Sequence, residues 1–175
     1  SRTAGRYVLK VVAVRAATLQ DGDRVAAYRS QMGAGKLHQQ GTAEAMRQAA
    51  AKYEAALAAW NQLDDQAARA AALLDAGQLY FDLADAKKAF DAWNESLAIF
   101  RALGHRAEEG QALSNLALLS YAKGERERAL EQYNQALVLH RAEGDRFWEA
   151  ETLNRIGWVY NAMDDRQRAV QQHNL

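Results

Sequence analysis

Residues 73–96 read LLDAGQLYFDLADAKKAFDAWNES, and residues 113–136, forty positions later, read LSNLALLSYAKGERERALEQYNQA. Small and ring-bearing residues recur at this interval along the chain, in the ladders Ala49, Ala89, Ala129, Ala169 and Tyr53, Trp93, Tyr133, His173. A repeat of this length indicates stacked units that cannot bury their apolar faces alone. It therefore predicts a solenoid, and it directs the search for function to a surface rather than to a catalytic cluster.

The spacing within each unit is helical, since Leu73, Gly77 and Tyr80 share one helix face and Ala89 and Trp93 share another. The pattern predicts helices near 24–40, capped by Asp23, then 42–63, 66–83, 87–103, 106–122, 127–142 and 146–162, with a last one from about 166. Short glycine or polar turns separate them and require antiparallel packing of neighbours. We expect an all-α, right-handed α-solenoid of antiparallel helix pairs over residues 21–175, with about three and a half repeats.

Residues 1–20 differ from the rest of the chain. Residues 6–14 read RYVLKVVAV, which is rich in β-branched residues, and the turn-like sequence DGD follows at 21–23. This pattern predicts a short N-terminal β-strand and a linker. A single strand needs a partner for its backbone groups. We favour a missing upstream β-domain as that partner, while a second copy of the chain, or a helix in place of the strand, remains open.

Composition excludes several classes of protein. The 175 residues carry 22 basic and 22 acidic side chains, and this balance does not favour binding to nucleic acid. There is no cysteine, which excludes a disulfide scaffold and a thiolate metal site. No apolar run reaches the roughly 20 residues of a spanning helix, and no secretory leader is visible. We expect no membrane span and favour a cytoplasmic location.

The motifs that could carry chemistry are weak. Residues 33–36 read GAGK, but a phosphate loop needs glycine at position 30 and a hydroxyl at position 37, where Ser30 and Leu37 stand. The four histidines are too far apart for metal-ligand spacing, so each is interpreted as a lone surface histidine, apart from His173 at a packing position. Acid pairs lie in turns or first helical turns, where they complement helix dipoles. We expect no catalytic residue, no metal, no cofactor and no enzyme activity.

These repeats resemble the tetratricopeptide repeat. The residues that carry the resemblance are Leu73, Gly77, Tyr80, Ala89, Trp93 and Ser96 in one unit, then Leu113, Leu116, Ala117, Ser120, Ala129, Tyr133 and Ala136, then Leu153, Ile156, Gly157, Tyr160 and Ala169. The 40-residue period exceeds the standard 34 and is similar to the long units of kinesin light chain and of many bacterial proteins.

One bacterial group is closer still. Residues 41–57 and 5–9 resemble bacterial proteins with a CHAT domain, in which a β-domain precedes the repeats and a caspase-like peptidase domain follows them. The resemblance implies a fragment: the end of a β-domain and the first repeats, without the peptidase.

The resemblance also implies a binding surface, because in this family the first helix of each pair lines a concave groove. Mapped onto this chain, the groove positions are Gln78, Phe81, Asp82, Gln111, Ser114, Asn115, Leu118, Tyr121, Glu151, Asn154, Arg155, Trp158 and Asn161. Amide side chains can both donate to and accept from a peptide backbone, and Tyr121 and Trp158 offer contact area. The plainer alternative is that these side chains solvate a face or pack against a longer array.

The groove set predicts a non-catalytic scaffold that binds a peptide or protein segment. Gln111 and Glu151 stand where a carboxylate-clamping groove would need lysine, which argues against a receptor for C-terminal tails. The second hypothesis is a regulatory or oligomerisation arm of a larger CHAT-type peptidase. In that case a homo-oligomer would form through the N-terminal strand or the exposed solenoid ends.

Overall fold

A computed structural model describes residues 18–163, which form seven helices without a β-strand. In chain order they are α1 Leu19–His38, α2 Ala43–Gln62, α3 Gln66–Asp82, α4 Ala86–Leu103, α5 Arg106–Ala122, α6 Arg126–Glu143 and α7 Arg146–Ala162. Apart from the start of α1, these bounds agree closely with those predicted from the sequence. The predicted strand at 6–14 and the predicted helix from 166 lie outside the described residues.

The start of α1 corrects one prediction. Thr18, and not Asp23, caps this helix: the Thr18 hydroxyl accepts from the Asp21 N–H at 3.3 Å, and the Asp21 carboxylate accepts from the Thr18 N–H at 2.7 Å. This reciprocal pair is a capping box, which satisfies backbone donors that the first helical turn leaves free. As a result, residues 21–23 are helical although their composition is typical of a turn.

The turns from α2 onward share one backbone conformation. Each places a single residue in the left-handed region, with φ of 54° at Asp64, 58° at Ala84, 71° at Gly104, 81° at Gly124 and 70° at Gly144. Such a residue ends a helix and reverses the chain, and only glycine adopts it without steric cost. A residue with positive φ recurs every twenty residues, so each helix runs antiparallel to the one before it.

The order of helix contacts reveals the curvature of the stack. Consecutive helices pack together, most extensively within the pairs α1–α2, α3–α4 and α5–α6. Between pairs, Cα atoms of α1 and α3, of α3 and α5, and of α5 and α7 come within 8 Å of each other, whereas those of α2, α4 and α6 do not. The odd-numbered helices are therefore closer together. They form the inner, concave side of the array over residues 18–163.

The ladder positions lie in the core. Ala49, Ala89 and Ala129 have no exposed surface, and Trp93 beside them has none either. Gly77 makes room for this ring, because a Cβ on Gly77 would lie 2.4 Å from the Trp93 Nε1. That nitrogen donates to the carbonyl oxygen of Leu74 at 3.1 Å. The small and ring-bearing ladders are thus packing residues, which leaves the other positions of the inner helices for function.

Candidate binding groove

The inner face is defined here as the surface that α1, α3, α5 and α7 present on the concave side. Because α3, α5 and α7 have identical lengths at forty-residue offsets, equivalent positions align in rows across it. One row is Gln78, Leu118 and Trp158, and a second is Asp75, Asn115 and Arg155. Two bonds join α1 to α3: the Gln31 Nε2 donates to the Asp75 Oδ2 at 3.0 Å, and the His38 Nε2 lies 2.7 Å from the Asp82 Oδ2.

The residues predicted from the sequence to line the groove differ in exposure. Exposed or partly exposed are Gln78, Phe81, Asp82, Gln111, Leu118, Tyr121, Glu151, Asn154, Arg155, Trp158 and Asn161. Ser114 and Asn115 are buried, with 0% and 8% of their surface exposed. The Ser114 Oγ lies 3.4 Å from the Thr152 Oγ1, so it faces α7 rather than a partner.

The aromatic side chains of this set are held to different degrees. Phe81 packs against Trp93 with ring centroids 5.8 Å apart, and Tyr121 packs against the apolar cluster that contains Tyr133. Trp158 is 47% exposed. Of the three, Trp158 therefore offers a partner the largest apolar surface.

The α7 end of the groove carries a paired charge. The Arg155 Nε donates to the Glu151 Oε1 at 2.9 Å, and the Arg155 Nη1 is buried without a hydrogen-bond partner. Burial raises the pKa of Tyr133 to about 12, although the neighbouring Arg155 opposes this shift. The Tyr133 hydroxyl accordingly remains protonated at neutral pH.

The α1–α3 end holds a cavity of about 290 Å³, whose lining includes Gly35, Tyr53 and Asp75. Burial raises the pKa of the Asp75 carboxyl, while the Gln31 hydrogen bond and the His38 charge oppose it. Sequence reasoning included neither Asp75 nor Tyr53 in the groove. Asp75 could have been included, because it lies forty and eighty residues before Asn115 and Arg155, which were predicted to line the groove.

His140 corrects another prediction, because it is fully buried rather than a surface residue. It stacks on Trp148 with ring centroids 5.9 Å apart, and neither ring nitrogen has a hydrogen-bond partner. Burial lowers the pKa of His140, opposed by the Asp145 carboxylate and the nearby Gly110 backbone. The sequence does contain a signal for this burial, because His140 follows Trp60 and Phe100 at forty-residue spacing.

Two kinds of site receive no support from the described residues. Within residues 18–163, no group of three or more histidine, aspartate or glutamate side chains is arranged to hold a metal ion. None of the seven helices combines the length and apolar character needed to cross a membrane.

The geometry defines the class: a curved α-helical repeat solenoid with an accessible inner face. Residues 108–174, less than half of the chain, match the family model of the tetratricopeptide repeat. Repeats of this family generally mediate protein–protein interactions. No curated protein sequence matches the chain significantly.

Solved structures show the same fold. BtubC from P. vanneervenii superposes with a TM-score of 0.74 at 21% identity, covering 87% of this chain and 62% of its own. A Podospora anserina protein described as a kinesin light chain with nearly identical TPR-like repeats gives 0.71 at 16% identity, covering 86% and 72%. MamA gives 0.55 at 18% identity, covering 91% and 93%. The chain thus spans 62% of the length of BtubC. At these identities the likenesses concern the fold, and similarity to CHAT-domain proteins stays a prediction from the sequence.

Proposed function

We propose that this chain is a non-catalytic protein–protein interaction scaffold that binds an extended peptide segment along the inner face of α3, α5 and α7. The observation that carries the proposal is the half-exposed Trp158 indole in line with accessible amide side chains on a concave surface. The match to a repeat family that generally mediates protein–protein interactions supports the same class of function.

The spacing of the inner helices suits an extended partner. Helices in contact lie roughly 8–10 Å apart, and an extended chain advances about 3.3 Å per residue, so each inner helix would meet every third peptide residue. Gln78, Gln111 and Asn154 would donate to and accept from the peptide backbone. Trp158 would hold one apolar side chain, as aromatic anchors do at protein interfaces.

A peptide selection tests this proposal. Peptides selected from a displayed random library against the wild-type chain are measured against two triple variants. The inner-face variant is Q111A/N154A/W158A, and the matched outer-face variant is N134A/Q135A/V138A on α6, where all three side chains are exposed. We expect the inner-face variant to bind at least about tenfold more weakly, because it loses the anchor and two backbone contacts.

The outer-face variant should bind like the wild type, and both should keep the wild-type helicity. Equal affinity of the inner-face variant and the wild type would overturn the proposal. A regulatory or oligomerisation role in a larger CHAT-type peptidase stays a prediction from the sequence, since the strand and the last helix that suggest it lie outside residues 18–163. A cytoplasmic location is likewise a prediction.

A further inference from the structure

The cavity between α1 and α3 contains a carboxylate without a cation. Among residues 18–163, the only hydrogen bond to Asp75 comes from the Gln31 Nε2, at 3.0 Å to Oδ2. The Gln31 Oε1 accepts from the Trp60 Nε1–H at 3.1 Å, which orients the amide so that its NH₂ group points to Asp75. The fold therefore holds this carboxylate in place and leaves its charge unpaired.

The two cationic side chains nearby do not fill this role. His38 is engaged with Asp82, whose other oxygen accepts from the Gln78 Nε2 at 2.9 Å. Lys36 lines the same cavity, but its side chain is exposed and forms no ion pair with a described residue. Of the two carboxylates at this end of the inner face, Asp82 lies within ion-pair distance of His38, and Asp75 forms no ion pair with a described residue.

Tyr53 supplies a second polar group at the cavity. Only 3% of this residue is exposed, it lines the cavity, and its hydroxyl makes no hydrogen bond with residues 18–163. Gly35 also lines the cavity, and a Cβ added there would lie 3.7 Å from the Tyr53 Oη. The hydroxyl oxygen itself is accessible from the cavity, so a ligand that donates to it would add a hydrogen bond.

We propose that this cavity binds a cationic side chain of the peptide partner, the ammonium group of a lysine or the guanidinium group of an arginine, between Asp75, Tyr53 and Gln31. An ammonium or guanidinium group has several donors and no acceptor, and it satisfies a carboxylate and a hydroxyl oxygen together. An anion would be repelled by Asp75, and an apolar group would leave both residues unsatisfied. The inference rests on the proposed function, since it assigns the partner a basic residue where it reaches the α1–α3 end.

Titration with single amino-acid derivatives tests the site without knowledge of the partner. N-acetyl-lysine amide, N-acetyl-arginine amide and N-acetyl-norleucine amide are added separately to the ¹⁵N-labelled chain, and the Gly35 amide and Gln31 side-chain signals are followed by NMR. We expect saturable shifts of both signals with the two cations and none with norleucine. Asp75→Asn should weaken cation binding at least about tenfold, since it removes the charge from the hydrogen bond.

Two pairs of variants separate binding from folding. Asp75→Asn should fold normally, because residue 75 is exposed and the asparagine oxygen can still accept from the Gln31 Nε2. Asp91→Asn on the exposed face of α4 is its control. Gly35→Ala should raise helix stability and reduce cation binding, since its methyl group narrows access to Tyr53. Gly22→Ala lies in the same helix with nothing within 4 Å of the new methyl group, so it should raise stability and leave binding unchanged.

The inference is overturned if neither cation shifts the Gly35 and Gln31 signals, or if Asp75→Asn binds the cations as well as the wild type does. Binding seen only after Lys36→Ala would also overturn it, because Lys36 would then occupy the site itself. Selected peptides that bind the inner face without needing lysine or arginine would reject the cation site and keep the groove. Saturable cation binding without any peptide binding would keep the site and reject the proposed function.

Discussion

Gly77 is the residue at which the close approach of α3 and α4 depends most directly on the absence of a side chain. A methyl group there would lie 2.4 Å from the Trp93 Nε1 and 2.5 Å from its Cδ1. We expect Gly77→Ala to lower the free energy of unfolding by about 1–3 kcal/mol, as overpacking of a filled core does. Gly22→Ala is the matched control, and it should stabilise the chain by about 0.5–1 kcal/mol. Urea unfolding measures both changes, and equal stability of the Gly77→Ala chain and the wild type would contradict the packing described.

Ala84 is a residue at which the chain departs from its own repeat. It adopts φ of 58° in the turn before α4, and Gly124 occupies the equivalent turn forty residues later with φ of 81°. Alanine in this backbone region carries roughly 1–2 kcal/mol of strain, which glycine would relieve. Glycine also makes the unfolded chain more flexible, and this offsets part of the gain in stability. We expect Ala84→Gly to stabilise the protein by about 1 kcal/mol, measured as a higher unfolding midpoint. A lower midpoint would show that the turn is not strained.

The sequence predicts packing residues better than groove residues. Ala89, Trp93 and Gly77 were placed correctly because a forty-residue ladder compares each position with its equivalents. Ser114 was mapped to the groove by its equivalence in the repeat family, but it is buried against Thr152 where α5 meets α7. That contact depends on how closely two helices approach, and a single sequence does not encode this distance in any local pattern.

At the scale of elements, the junction of α6 and α7 contains a buried histidine, His140, whose protonation affects the stability of the fold. The pKa of His140 is lower in the folded chain than in the unfolded chain, whose histidine titrates near the ordinary value of about 6.5. As the pH falls through that value, the unfolded chain takes up the proton first, so stability is lost on the acid side.

We therefore expect His140→Phe to reduce the stability difference between pH 7.5 and pH 5. Phenylalanine restores the ring type found at Phe100, the equivalent position in the preceding repeat, and it cannot be protonated. The measurement is the free energy of unfolding in urea at both pH values. An unchanged pH dependence in the variant would show that His140 does not contribute to it.

Helix α1 lies at one end of the described array, so one of its faces lacks a described neighbour. Val25, Tyr28 and Met32 are each about half exposed, whereas Ala68 and Ala72, forty residues after Tyr28 and Met32, pack beneath α2. We expect the α1 amides to exchange hydrogen faster than those of α5, which lies between neighbours on both sides. Hydrogen exchange followed by mass spectrometry makes the comparison. Equal protection of α1 and α5 would indicate that further residues cover the face of α1 that carries Val25, Tyr28 and Met32.

The helix bounds were predictable for the same reason that the ladder was visible: periodic apolar positions and glycine or polar turns mark both ends of most helices. The exception is the start of α1, where the capping box of Thr18 and Asp21 outweighs the turn composition of residues 21–23. The helix therefore begins at Leu19, ahead of the segment 21–23, which its composition had predicted to be a turn that precedes the helix.

At the scale of the whole molecule, the forty-residue period predicted a solenoid, and the contacts among α1, α3, α5 and α7 add its curvature. Curvature is the property that turns separate side chains of the inner helices into one surface. The groove residues could be proposed only through the resemblance to a repeat family, because nothing in the spacing of a single unit tells the inner from the outer side.

The most direct test of the binding groove uses the four tryptophans as reporters. Trp158 lies half exposed on the inner face, Trp60 and Trp93 are buried in the core, and Trp148 stacks on His140. Each indole N–H gives one signal in a ¹H–¹⁵N spectrum of the chain. On addition of a selected peptide, we predict a large shift of the Trp158 signal and little change in those of Trp60 and Trp148. An unchanged Trp158 signal in the saturated complex, with shifts at Trp60 or Trp148 instead, would contradict binding along the inner face.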